Sequence, residues 1–133
     1  MRVVRNIVLM AGVFAGAGVH AQDVVFPEEA MDALMRVTMA QTADQKCDGM
    51  SVRTIRLQTA MVAMLSAVKE LGADPVAAVH YLETEEAAAR IAERSALLRE
   101  KHGVDAEGDD ALCAAIRAEA EEDEELARLM RIR

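Results

Sequence analysis

The chain has 133 residues, a formal net charge of −8 and only three aromatic side chains, none of them tryptophan. Its length corresponds to one small domain, and its core must be built from aliphatic side chains and methionine. The negative charge disfavours nucleic acid and anionic membrane surfaces as partners, because both carry negative charge themselves.

The first residues have the three parts of a secretory signal peptide. Arg2 and Arg5 supply a positive start, residues 7–17 are apolar and uncharged, and small residues precede a cleavage point between Ala21 and Gln22. The apolar run is shorter than the roughly 20 residues that a membrane-spanning helix needs. We therefore expect cleavage after Ala21, and no membrane span after the signal is removed.

Two cysteines, Cys47 and Cys113, follow the predicted signal peptide (residues 1–21) in a single helical domain of residues 22–133. Exported proteins meet an oxidising compartment, and an even number of cysteines there favours disulfide formation. We predict a Cys47–Cys113 disulfide, with two buried free thiols as the alternative.

Apolar side chains recur at the three- and four-residue spacing of helices, and no alternating stretch indicates a strand. Ser51, Asp74 and Thr84 are candidate helix caps, as is Asp109 or Asp110. The predicted helices cover residues 27–44, 51–71, 75–82, 84–102 and 109 to the end of the chain. The fold class is therefore all-α, a small bundle of four or five helices clipped by one disulfide.

The same spacing predicts which faces of the helices are buried. The second helix should bury Leu57, Met61, Met64, Leu65, Val68 and Leu71. The fourth should bury Ala88, Ile91, Ala92, Ser95 and Leu98, with an ion pair between Glu86 and Arg90 on its exposed side.

No pattern of catalytic, cofactor-binding or metal-binding residues is evident. His80 and His102 do not share a helix turn, and the three-residue spacing of His80 and Glu83 occurs in many helices without a metal. The serines lack a glycine-flanked nucleophile turn. We predict a protein that is not an enzyme and has no cofactor.

The most unusual composition is an acidic tract near the carboxyl end. It invites two interpretations: a functional feature that binds a divalent cation or a basic partner or senses pH, or a solvated helix face with Glu124 paired to Arg128. The second is favoured, because charge runs are usually solvated surface. The tract consists of Glu119, Glu121, Glu122, Asp123, Glu124 and Glu125.

The order and spacing of several short motifs resemble a family of short exported proteins of unknown function from alphaproteobacteria of the Rhodobacter group. The resemblance implies a helical fold and a Gram-negative periplasmic location, and it supplies no known activity. The motifs are Ala43-Asp44, Cys47, Ser51, Glu70-Leu71-Gly72, His80-Tyr81-Leu82, Lys101-His102-Gly103-Val104, Leu112-Cys113 and the closing Arg128-Leu129-Met130-Arg131.

These observations favour a non-enzymatic periplasmic helical protein that acts by protein–protein interaction with a partner of unknown identity. The alternative is an acid-activated periplasmic holdase chaperone. Protonation of its 23 acidic residues would remove salt bridges and loosen the helices at low pH.

Overall fold

The computed structural model describes residues 26–133. The predicted signal peptide and the cleavage point between Ala21 and Gln22 lie outside the described residues. After a 3-10 turn (Glu28–Ala30), the chain forms α1 (Met31–Lys46), β1 (Met50–Val52), α2 (Thr54–Glu70), α3 (Pro75–Tyr81), α4 (Glu85–Lys101), α5 (Asp109–Glu122), α6 (Glu124–Leu129) and β2 (Met130–Ile132). The predicted all-α class is confirmed, with one small sheet added.

Side-chain caps set the starts of two helices as predicted. Asp74 accepts a hydrogen bond from the amide of Val76 at 3.2 Å, and proline occupies the first turn of α3. Thr84 accepts one from the amide of Ala87 at 3.2 Å at the start of α4. These bonds satisfy amides that have no partner within the helix.

The structure contains a small sheet that no pattern in the sequence indicated. Strand β1 pairs with β2 in antiparallel register, with Met50 opposite Ile132 and Val52 opposite Met130. Ser51 therefore lies in a strand and does not cap α2, which begins at Thr54 without a side-chain cap. A three-residue strand is too short to show an alternating pattern, so periodicity cannot reveal it.

Two further helix boundaries differ from the predictions. The fifth predicted helix is divided at Asp123, which has an extended backbone and caps α6 by accepting bonds from the amides of Glu125 and Leu126. Neither predicted aspartate caps α5, because Gly108 holds the cap position and no side chain bonds there. Asp123 belongs to an acidic run, which hides its capping role in the sequence.

Helix α1 contributes to both clusters of the core. The larger cluster joins it to α2, α5, α6 and the sheet, and the smaller one packs Phe26 with α1, α2 and α3. The least exposed large side chains are Phe26, Met31, Val68, Ile116, Leu126 and Met130. Aliphatic and methionine side chains therefore fill the core, as the composition predicts.

The predicted buried faces are only partly correct. Of the residues predicted to be buried in the second helix, Leu57, Met64 and Val68 are buried, Leu65 is partly buried, and Met61 and Leu71 are exposed. In α4, Ala88 and Ala92 are exposed and Ala87 is the only fully buried residue. Helix α4 thus lies at the periphery, where little of its surface is covered.

The predicted disulfide is confirmed. Cys47 follows the last turn of α1 and bonds to Cys113 in α5, 66 residues further on. In the turn before β1, Gly49 has a φ of 76°, and a Cβ there would lie 3.4 Å from the carbonyl oxygen of Arg133. Glycine suits this turn because it adopts positive φ without a side-chain clash.

Candidate functional site

The acidic tract is mostly engaged in ion pairs between helices. The Asp123 carboxylate accepts a hydrogen bond from Arg36 Nε at 2.8 Å, and Glu125 lies 3.2 Å from the same guanidinium. The predicted pair of Glu124 with Arg128 is confirmed at 2.7 Å. The solvated-face interpretation therefore fits Glu124 but not Asp123, which links α1 to the junction of α5 and α6.

The pKa values of the inward-facing carboxyls reflect these contacts. Burial disfavours the charged form of Asp123, but the hydrogen bonds from Arg36 and from two amides outweigh burial and hold its pKa below the usual value. For Glu119, burial is likewise outweighed by His102 and Lys101, which lower the pKa of its carboxyl. Both groups are therefore ionised at neutral pH.

His102 lies immediately after α4 and faces α5. Its Nε2 is 2.6 Å from a carboxylate oxygen of Glu119, and both side chains are largely covered, with 8% and 13% of their surface exposed. Lys101 Nζ lies 2.9 Å from Glu119 and 3.1 Å from Glu122. The predicted picture of a partly exposed helical histidine fits His80, which stays in solvent 4.0 Å from Glu83.

Among residues 26–133, one group has the donors and spacing to hold a metal ion. It consists of His102, Glu119 and Glu122, whose donor atoms all lie within 4.8 Å of one another, and we call it the His102 cluster. The sequence offered the acidic tract as a cation site, but it could not bring His102 to that tract, because the histidine and the carboxylates are 17 or more residues apart on different elements.

A groove of about 630 Å³ runs between α1, α2 and α6, and we call it the arginine groove. Most of its lining is small or flexible and apolar, and we call this part, the alanines with Met64 and Leu129, its floor. Its three arginines form what we call its rim. The lining residues are Ala33, Arg36, Arg56, Thr59, Ala60, Ala63, Met64, Ala67, Glu125, Arg128 and Leu129.

The three rim arginines differ in how far their charge is already neutralised. Arg36 and Arg128 face carboxylates at 2.7–3.2 Å. Arg56 donates a hydrogen bond to the main-chain oxygen of Arg128 at 3.4 Å and forms no ion pair with any of residues 26–133. Arg56 therefore keeps a positive charge available to a ligand in the groove.

The structure places two of the serines within secondary structure. Ser95 donates its hydroxyl to the carbonyl of Ile91 within α4 at 2.9 Å, and Ser51 lies in the sheet. The predicted Glu86–Arg90 pair is also replaced, because Arg90 bonds to Glu28 at 2.7 Å. These polar groups hold the fold together.

Within residues 26–133, no helix is long and apolar enough to cross a membrane. Comparisons with curated proteins and with solved structures find no match. The model of a family of unknown function, DUF5333, matches residues 23–131, which is most of the chain. The protein therefore belongs to the DUF5333 family.

Proposed function

We propose that the protein is a non-enzymatic periplasmic protein that binds an acidic amphipathic helix of another protein in the arginine groove. The observation that carries this proposal is the combination of an apolar floor with the available charge of Arg56. Export is supported by the disulfide, since disulfides persist in oxidising compartments.

The shape of the groove favours a helix as the ligand. Arg56, Ala60, Ala63 and Ala67 recur on one face of α2, and alanines let a second helix approach closely. Helix-in-groove recognition uses such a face, with apolar residues of the ligand spaced three and four apart. Met61 and Val62 are also exposed on α2, but they lie outside the groove face.

The arginines of the groove rim favour an acidic ligand over a basic one. The whole chain is acidic, yet the groove rim holds three arginines against one glutamate. Carboxylates beside the apolar stripe of a ligand would pair with Arg56 and compete with Glu124 for Arg128. A ligand with lysines in the same places would form none of these pairs and would meet Arg56 with like charge, so electrostatics sets specificity here.

The test uses two designed helical peptides with the same apolar stripe, one flanked by glutamates and the other by lysines. Fluorescence anisotropy should show that the acidic peptide binds at least about tenfold more tightly than the basic one. Arg56→Glu should abolish this preference. Lys69→Glu, an equal change of charge on the same helix outside the groove, should leave it intact.

Three results would refute the proposal. These are no binding of either peptide, equal binding of both, and an equal loss of preference in the Arg56→Glu and Lys69→Glu variants. Ala63→Trp, which fills the groove floor without changing charge, separates groove binding from general attraction to a basic surface. It should weaken binding of the acidic peptide while leaving the circular dichroism spectrum unchanged.

A second candidate function, the acid-activated holdase chaperone, is favoured by the attachment of α4. This helix fully buries only Ala87, and two of its three arginines, Arg90 and Arg94, pair with Glu28 and Asp32 near the start of α1. Protonation of Glu28 would remove its pairs with both arginines and uncover apolar surface beneath α4. Suppression of client aggregation at pH 3 but not at pH 7 would support this function, and inactivity at both would exclude it.

A further inference from the structure

The His102 cluster combines donors from two elements at one mostly covered place. His102 Nε2 and Glu119 are in contact at 2.6 Å, and a Glu122 oxygen completes a group within 4.8 Å. Glu119 and Glu122 lie on one face of α5, because residues three apart on a helix are neighbours. The coverage of His102 and Glu119 keeps two of the donors in place before any ligand arrives.

The donor set defines the class of cation. One imidazole nitrogen and two carboxylate oxygens suit divalent first-row transition metals, whereas Ca²⁺ and Mg²⁺ prefer oxygen donors alone. Three protein ligands leave at least one coordination position to water, as in open zinc sites. The chemistry therefore indicates Zn²⁺ or a similar ion more than an alkaline-earth cation.

A positive charge already occupies this position. The Lys101 ammonium lies 2.9 Å from Glu119 and 3.1 Å from Glu122, so it bridges the same two carboxylates that a cation would use. About half of the lysine side chain is exposed, and its flexible stem allows it to swing into solvent. A metal ion and Lys101 cannot both take the space between these carboxylates.

We propose that His102, Glu119 and Glu122 bind a divalent transition-metal cation such as Zn²⁺, and that Lys101 competes with the cation for the two carboxylates. Binding would fasten the end of α4 to α5 through coordination bonds in place of the lysine bridge. The site is separate from the arginine groove, so the proposal does not depend on the proposed function.

Isothermal titration of the disulfide-bonded protein, free of metal-binding tags, with ZnCl₂ tests the proposal. One Zn²⁺ should bind per chain. Lys101→Met should tighten binding roughly tenfold, because it removes a competing positive charge beside the cation. His102→Gln, Glu119→Gln and Glu122→Gln should each weaken binding by about tenfold or more.

The control for diffuse attraction is a double variant, Glu124→Gln with Glu125→Gln. It removes two carboxylates from the same acidic tract without touching the His102 cluster, and it should bind Zn²⁺ as the unaltered protein does. Weakening equal to that of Glu122→Gln would overturn the proposal. So would the absence of binding in both the unaltered protein and the Lys101→Met variant.

Two measurements keep the test valid if a variant is poorly folded. Thermal unfolding without metal identifies variants that have lost their structure, and the exposed Glu122 offers a substitution that the fold should tolerate. Co²⁺ as a spectroscopic substitute reports the nitrogen ligand, since its visible absorption should change in His102→Gln. An unchanged absorption spectrum would exclude His102 as a ligand.

Discussion

Removal of the disulfide tests how much the Cys47–Cys113 bond contributes to stability. In the chain-entropy model, a bond that closes a loop of 66 residues lowers the entropy of the unfolded chain and so raises its free energy by about 4 kcal/mol. For a domain of this size, that free energy corresponds to a fall in the melting temperature of roughly 15–20 °C. The double variant Cys47→Ala with Cys113→Ala should show this fall.

The native helices should survive the loss of the bond at room temperature. Helices α1 and α5 remain in contact through Ile116, which is 0% exposed, and through the core around it. We therefore expect an unchanged helical circular dichroism spectrum at 20 °C. The urea m value should rise, because an unfolded chain without a cross-link exposes more surface.

Single variants provide the control for the disulfide prediction. Cys47→Ala and Cys113→Ala each break the same bond, so each should cost nearly as much as the double variant, and their costs should not add. The unaltered protein treated with a reductant should match them in urea unfolding. A double variant that melts within about 3 °C of the oxidised protein would refute the entropic reasoning.

Two further predictions concern the core and the acid response. Ile116→Ala should lower the free energy of unfolding by about 3 kcal/mol, because Ile116 is fully buried. The control Ile55→Ala, at a side chain that is 79% exposed, should lower it by less than about 0.5 kcal/mol. Similar losses for the two variants in urea unfolding would contradict the assigned core. Hydrogen bonds from Arg90 and Arg94 hold the pKa of Glu28 below its ordinary 4.5, so the stability that these pairs provide is complete above that value and is lost as the pH falls through the lowered pKa. Glu28→Gln should therefore reduce stability more at pH 7 than at pH 3, and an equal reduction at both values would exclude the ion pairs as the cause.

The sequence predicted the features that depend on local chemistry. The capping residues Asp74 and Thr84 and the helical class follow from short-range patterns, and the structure confirms them. The disulfide, which joins distant residues, was predicted because the chain has only two cysteines, and the structure confirms it. The features that it could not predict depend on contacts between distant residues. Strand β1 exists because β2, about 80 residues later, pairs with it, and neither strand is long enough to show its own period.

The candidate sites were hidden for the same reason. His102 looks isolated in the sequence because its partners, Glu119 and Glu122, lie on the next helix. Arg56 looks like an ordinary solvated side chain of α2 until α1 and α6 are placed beside it to form the groove. Spacing within one helix can identify ligands on that helix only, so sites that several helices share require the tertiary structure.

The position of the acidic tract relates it to both proposed sites. Glu119 and Glu122 face the end of α4 and form the His102 cluster, whereas Glu124 and Glu125 pair with arginines of the groove rim. Asp123 lies between them, divides the two helices and binds Arg36 of α1. Five of the six acidic residues of the tract therefore pair with basic side chains on different elements. The tract is dense in the sequence because residues with three separate structural roles meet at one helix junction. Composition shows this density but not the contacts of the individual side chains, so it suggested a solvated face.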